Sequence, residues 1–217
     1  MKTLFRALVV LASLSPLACS AADNSQQYRL GEHYMRVRAV QAPANPAKIE
    51  VMEVFAYSCP HCYSFEPALK KWVAKKPADV EFVRTPHTLG QPANQARNRA
   101  FYAAQMLGVV DAFHIALFDA IHRDHKAMAT PAELRDLAVQ RAGVKAADFD
   151  GAMSGFAADA GFRRGEQVVQ GLGITSVPTL VVEGKYFISP NIAGGFDGML
   201  KVADFLVEQA RKERGKR

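Results

Sequence analysis

The chemistry available to this chain of 217 residues is concentrated at Cys59-Pro60-His61-Cys62. Two thiols separated by two residues can meet as a disulfide across one helical turn. The ring so closed is too small to stabilise a fold through chain entropy, so the pair reads as reactive rather than structural. A cysteine at the first turn of a helix faces unpaired backbone N–H groups and the positive end of the dipole, which favour thiolate over thiol. Pro60 suits that turn because its missing N–H would have had no helical partner. His61, when charged, adds a second cationic influence beside the sulfur. These residues give Cys59 the part of exposed sulfur, both attacking and attacked. Cys62, one turn on and facing inward, resolves the mixed disulfide. Stabilising the Cys59 thiolate stabilises the reduced protein and makes its disulfide a stronger oxidant, so donation of the disulfide to substrates is the expected direction. The same four residues, tuned differently, serve a reductase or an isomerase.

A C-x-x-C pair is also a zinc motif, and zinc would need two further ligands. His122 with His125, or the scattered His33, His87 and His114, are what the chain offers. None of them has a partner cysteine. His122 and His125 are expected as ordinary polar residues on a helix surface, and no metal or other cofactor is expected.

The N-terminus decides which redox chemistry is allowed. Lys2 and Arg6 precede an apolar run over 7–18, and Ser20, Ala21 and Ala22 follow. This is the pattern of a secretory signal peptide over 1–22, cleaved after Ala22. The run is too short to span a bilayer, which takes roughly 20 apolar residues. Cys19 leaves lipoprotein anchoring as an alternative, against which Pro16 stands where such signals usually carry leucine. Export places the mature chain where disulfides form and persist, and once Cys19 is removed Cys59 and Cys62 are its only thiols. The formal charge of +6 carries little information. With the leader and the basic tail 211–217 set aside, 23–210 has no net charge. The tail reads as a solvated terminus, and nothing points to nucleic acid.

The remaining length fits one domain carrying a sizeable insertion. Residues 33–40 alternate as an edge strand, and 41–47, with Pro43 and Pro46, form a loop. The run 49–55 is apolar and β-branched enough for a buried strand leading into the cysteine pair. Phe65, Leu69, Trp72 and Val73 recur at helical spacing, with lysines loading the C-terminal end. Pro67 should kink that helix and Pro77 should stop it. Residues 79–84 read as the next strand. From 91 to 170 the sequence is alanine-rich and without strand signal. Thr130-Pro131-Ala132-Glu133 starts a helix there with a capping box, and Gly143 should end it. Strand character returns over 174–182, 183–185 form a hairpin turn, 186–189 pair back, and 196–213 form a last amphipathic helix.

Two segments resemble a known family. Phe55-Ala56-Tyr57-Ser58-Cys59-Pro60-His61-Cys62-Tyr63-Ser64-Phe65-Glu66 is similar to the active-site segment of the DsbA family of periplasmic thiol-disulfide oxidoreductases, within the thioredoxin superfamily. Gly173-Ile174-Thr175-Ser176-Val177-Pro178-Thr179 is similar to that family's cis-proline turn. The resemblance covers essentially the whole mature chain. It implies an α/β, thioredoxin-like fold with an inserted all-helical domain: 23–90 and 171–217 make the first and second parts, and 91–170 the insertion. It further implies that Val177 and Pro178, joined by a cis bond, lie against the cysteine pair and meet the substrate. It gives unfolded exported proteins as substrates and a DsbB-like membrane quinone reductase as reoxidant. Glu53, on the buried strand, and Glu66, one turn beyond Cys62, are candidates for a proton relay to Cys62, with Arg84 as their basic partner. The alternative is a partly exposed pair with no catalytic duty. Phe65 is expected in the core. Tyr63 and Leu89 are offered either as core or as client surface, and Tyr57 and Met153 are left unassigned. A monomer is expected. A dimeric isomerase would need an N-terminal domain for which the leader before His33 has no room. A non-catalytic peptide-binding module is the remaining alternative.

Overall fold

Ile49–Phe55 is buried along its whole length, and that central strand (β2) organises the computed structural model, which describes residues 27–215. The expected signal segment, its expected cleavage site and Cys19 lie outside the described residues. β2 runs parallel to β3 (Val80–Pro86) and antiparallel to β4 (Thr179–Val182). β4 pairs with β5 (Tyr186–Ile188), and β5 with the short β1 (Met35–Arg36), giving the order β1-β5-β4-β2-β3. Alternate residues of β2 serve opposite faces. Ile49 and Val51 pack with Phe65 and Leu69 of α1 (Pro60–Lys75) and with Val202 and Leu206 of α8 (Phe196–Arg214). Met52 and Val54 pack on the other face with Val169 and Leu172 of α6 (Phe156–Leu172).

Between β3 and β4 lie α2 (Pro92–Met106), α3 (Val110–His122), α4 (Pro131–Ala142), α5 (Ala146–Ser154) and α6. Phe101, Phe113, Leu117, Phe118, Leu134 and Phe149 fill the interior of this helical insertion, and Phe55, Tyr57 and Cys62 belong to the same cluster. The insertion's core is thus continuous with the turn that carries the cysteine pair. Thr130 and Glu133 form the full capping box, and α4 ends at Gly143 in the left-handed conformation.

Two expectations need correction. The edge strand over 33–40 shrinks to Met35–Arg36, because its partner β5 is three residues long and the next amides turn to Lys185 and Leu172 carbonyls. The strand expected from 174 begins only at Thr179. The Ile174 amide still bonds back to Val169 at the helix end, and Pro178 has no amide to give a ladder. A short helix, α7 (Pro190–Ala193), lies between β5 and α8, in a stretch for which the sequence carries no expectation. α1 continues through Pro67 as one helix.

Candidate active site

β2 delivers the chain into the turn Ala56-Tyr57-Ser58, and Cys59 follows as N-cap of α1, with Pro60 at the first helical position. No side chain caps this helix. Its first amides are therefore available to the Cys59 sulfur. Both cysteines are free thiols, Cys59 half-buried and Cys62 fully buried. The Cys59 thiol is lowered to about 5, chiefly because the Cys62 thiol donates to its sulfur; the amides of Cys62 and His61 and the charge of His61 add to this, against partial burial. Cys62 is raised far above the ordinary thiol range by that same hydrogen bond, given as donor, and by burial. One proton shared by two sulfurs makes Cys59 the thiolate and Cys62 the thiol.

Across the turn, the Val177–Pro178 bond is cis, and the Val177 carbonyl lies 3.6 Å from Cys59 Sγ. Pro178 is buried and Val177 half-exposed. His61, Ser176, Val177, Asn191 and Phe196 line a shallow cleft beside the sulfur.

Beneath the cysteines lies a buried polar chain. Glu53 is fully buried on β2 opposite Arg84 of β3, on the sheet face that carries α1. Arg84 Nε donates to Glu53 Oε2 and Arg84 Nη2 to Glu66 Oε2, each at 3.2 Å. Glu66 Oε1 meets His114 Nε2 at 3.0 Å, and His114 Nδ1 meets the Tyr57 hydroxyl at 3.0 Å. Burial raises the Glu53 carboxyl well above the carboxylate range, and the charge of Glu66 pushes it further. Glu66 is also opposed by burial, but its hydrogen bond with His114, with the charge and hydrogen bond of Arg84 adding, leaves it below its ordinary value. Burial lowers His114. The two carboxylates are therefore unlike: Glu53 keeps a proton and Glu66 is ionised. Neither carboxylate is partly exposed, since both are buried.

Phe65 is fully buried in the core. Tyr63 is half-buried and donates from its hydroxyl to Asp119 at 2.9 Å. Tyr57 is fully buried, while Leu89, with φ of 50°, and Met153 are half-exposed. The expectation of surface histidines fails at His122. Its Nε2 lies 2.8 Å from the Tyr57 carbonyl and its ring stacks on Tyr63 with centroids 5.1 Å apart. His125 lies past the end of α3, exposed. Among the described residues no three His, Cys, Asp or Glu side chains gather to hold a metal ion. Sequence reasoning missed the parts played by His114, His122 and Asn94, whose amide donates to Ser58 Oγ beside Cys59. One signal was present for the histidines: His114, Phe118 and His122 recur at i, i+4 and i+8 along a largely apolar helix, so both rings share one face.

Residues 50–205 match the family described as DSBA-like thioredoxin domain. The thiol:disulfide interchange protein DsbA of Pseudomonas aeruginosa is 38% identical over 205 residues, 94% of each chain. The protein of that name in Azotobacter vinelandii is 36% identical over 211 residues, 97% of this chain and 98% of its own. The crystal structure of Pseudomonas aeruginosa DsbA superposes with a TM-score of 0.81 at 37% identity, over 87% of this chain and 97% of that one.

Proposed function

The chain belongs to the DSBA-like thioredoxin domain family and is a thiol-disulfide oxidoreductase, and from that premise we propose that it donates its Cys59–Cys62 disulfide to exported proteins as they fold. The observation that carries this direction is the asymmetry of the dithiol state, with Cys59 lowered to about 5 and Cys62 raised. A stabilised thiolate makes the reduced protein the favoured form and its disulfide an oxidant. In the forward reaction a substrate thiolate attacks Cys59 Sγ. The Cys59–Cys62 bond breaks, and Cys62 leaves as a thiolate that takes up a proton. A second substrate thiolate then attacks the substrate sulfur of the mixed disulfide, whereas attack by the Cys62 thiolate on Cys59 Sγ resolves it in the reverse direction and releases the substrate thiolate. Cys59 leaves as its stable thiolate, and the substrate carries the new disulfide. Two electrons have passed to the protein.

Glu53 is the proton source for Cys62 in this reading, because it is buried, protonated and on the sheet face beneath α1. Glu66 and Arg84 complete its environment. Val177 and Pro178 receive the substrate backbone, with Pro60 and His61 shaping the turn and its charge. Each turnover leaves the pair reduced, so a reoxidant is required, for which a DsbB-like membrane quinone reductase fits. The leader 1–22 is read as a secretory signal, which puts the mature monomer in the periplasm.

A redox titration of the mature chain tests the direction. Equilibrated against reduced and oxidised glutathione, the pair is expected to stay reduced until the buffer is strongly oxidising. Oxidation in buffers as reducing as the cytosol would make the protein a reductase instead. A Cys59→Ser variant that folds but retains peptide handling would favour the non-catalytic reading.

A further inference from the structure

Glu53, Arg84 and Glu66 set one guanidinium between two buried carboxylates. If both were ionised the cluster would hold a net negative charge in the protein interior, so burial favours retention of one proton. Arg84 does not decide which carboxylate holds it, since it gives each one N–H at the same 3.2 Å. The difference lies in the remaining oxygens. Glu66 Oε1 has His114 Nε2 at 3.0 Å, whereas Glu53 Oε1 is buried without a partner among the described residues.

His114 itself comes from the helical insertion, on α3, and is nine-tenths or more buried. Phe55 and Phe118 stand edge-on to its ring, each with centroids 4.9 Å away. The Tyr57 hydroxyl, whose hydrogen bond among the described residues is to Nδ1, fills that nitrogen as donor and so places the imidazole proton on Nε2, toward the acceptor Glu66. A neutral ring thereby supplies one directed N–H without bringing a further charge into the core.

We propose that His114 is a positioning residue that assigns the cluster's proton to Glu53, by donating to Glu66 and holding it ionised. The inference rests on the reading of Glu53 as proton source for Cys62, and it adds that the insertion sets the protonation state of the thioredoxin part. The other titratable groups facing the cluster do not do this. Asp111 reaches Arg84 only at 4.0 Å from an exposed position, Tyr57 and Tyr102 are neutral phenols, and Cys62 is the group served.

The experiment follows the side-chain carboxyl carbons of Glu53 and Glu66 by site-resolved NMR of the reduced full chain over pH, with Glu53→Gln and Glu66→Gln as assignments. In the wild type Glu66 stays ionised to lower pH than Glu53. In His114→Phe, which the surrounding aromatic rings can seat, the Glu66 midpoint is expected to rise and that of Glu53 to fall, each by about one pH unit. His114→Gln, whose amide still reaches Glu66, is expected to restore the wild-type order. His114→Asn, polar but too short, gives the same reading as phenylalanine should that variant fail to fold. Midpoints unmoved in a folded His114→Phe or His114→Asn protein overturn the proposal. The relay reading is tested separately: if Glu53→Gln leaves the pH dependence of the glutathione equilibrium unchanged, Glu53 does not serve Cys62, whatever the carbon midpoints do.

Discussion

A single cysteine at a helix start links redox state, pH and stability. In the reduced protein Cys59 titrates at about 5, against about 8.5 for a cysteine in an unfolded chain. A depressed acid contributes stability that is complete above the unfolded value and is lost as pH falls through the folded one. The disulfide form has no such proton. The melting temperature of the reduced protein, relative to the oxidised one, should accordingly climb between pH 5 and 8.5 and level off below. The expected gain is roughly a few degrees, because the sulfur is half-exposed and solvent screens it. Paired melts in reductant and in disulfide form test this, and a pH-independent difference would contradict it. His61→Ala removes one of the stabilising influences, so the thiolate absorbance near 240 nm should appear at higher pH. Arg84 is the counterpart below the sulfurs. In Arg84→Met, Glu53 and Glu66 stay buried without a cation, an arrangement that costs about 3 kcal/mol or more at neutral pH. Their folded pKa values then lie above the unfolded ones, which gives stability below the unfolded value and loses it as pH rises. The variant should therefore recover toward wild type on acidification, seen in urea midpoints at pH 7 and pH 4.5.

The elements owe their places to local rules and to close packing, and each can be probed alone. Thr130 caps α4 through the Glu133 amide, so Thr130→Ala should cost about 1 kcal/mol and leave the redox equilibrium untouched. α6 approaches α2 at Gly165, where a methyl group would overlap the Tyr102 hydroxyl and find the Thr85 side chain 3.4 Å away. Gly165→Ala should lower stability by about 1–3 kcal/mol, since the half-buried Tyr102 ring must move. These are also the features a sequence carries openly. The buried strand 49–55, the helix after Cys62, the capping box and the hairpin turn at Gly184 are each specified within a few residues, and all appear where the patterns place them. Strand lengths at the sheet edge are not local, because β1 ends where its distant partner β5 ends. The polar chain under the cysteines is less local still. Glu53 and Glu66 are readable as candidates from the family resemblance, but His114 reaches Glu66 across 48 positions and Tyr57 across 57. A histidine on the apolar face of a helix gives its burial away and conceals its partners.

At the scale of the whole molecule the question is what holds the helical insertion against the sheet beside the catalytic turn. Glu166 of α6 accepts the Thr88 amide at 2.8 Å and the Thr88 hydroxyl at 3.0 Å, and meets His87 Nδ1 at 3.0 Å. His87 and Thr88 belong to the linker that leads into the insertion, and the His87 amide bonds to the Phe55 carbonyl at the end of β2. The Asn94 amide then ties the Thr88 carbonyl to Ser58 Oγ, one residue from Cys59. One carboxylate thus fastens the last helix of the insertion to its entry point, and the entry point to the catalytic turn. Glu166→Ala releases the Thr88 amide and hydroxyl and His87 together, a loss of about 1–3 kcal/mol if the freed groups stay dry. Since the linker is half-exposed, water takes up part of that loss and local opening becomes the main effect. Amide exchange should quicken over 86–91 and the middle of α6, with β2 and α8 unchanged. The Cys59 thiolate titration should stay near its wild-type position, because its causes lie within α1 and Cys62. Oxidation of a short dithiol peptide should be nearly preserved while oxidation of a large unfolded protein slows, as only the larger substrate must rest on both parts of the molecule at once. Equal slowing of both substrates, or exchange that quickens across the sheet as well, would place Glu166 in the general stability of the fold and remove it from the coupling between insertion and active site.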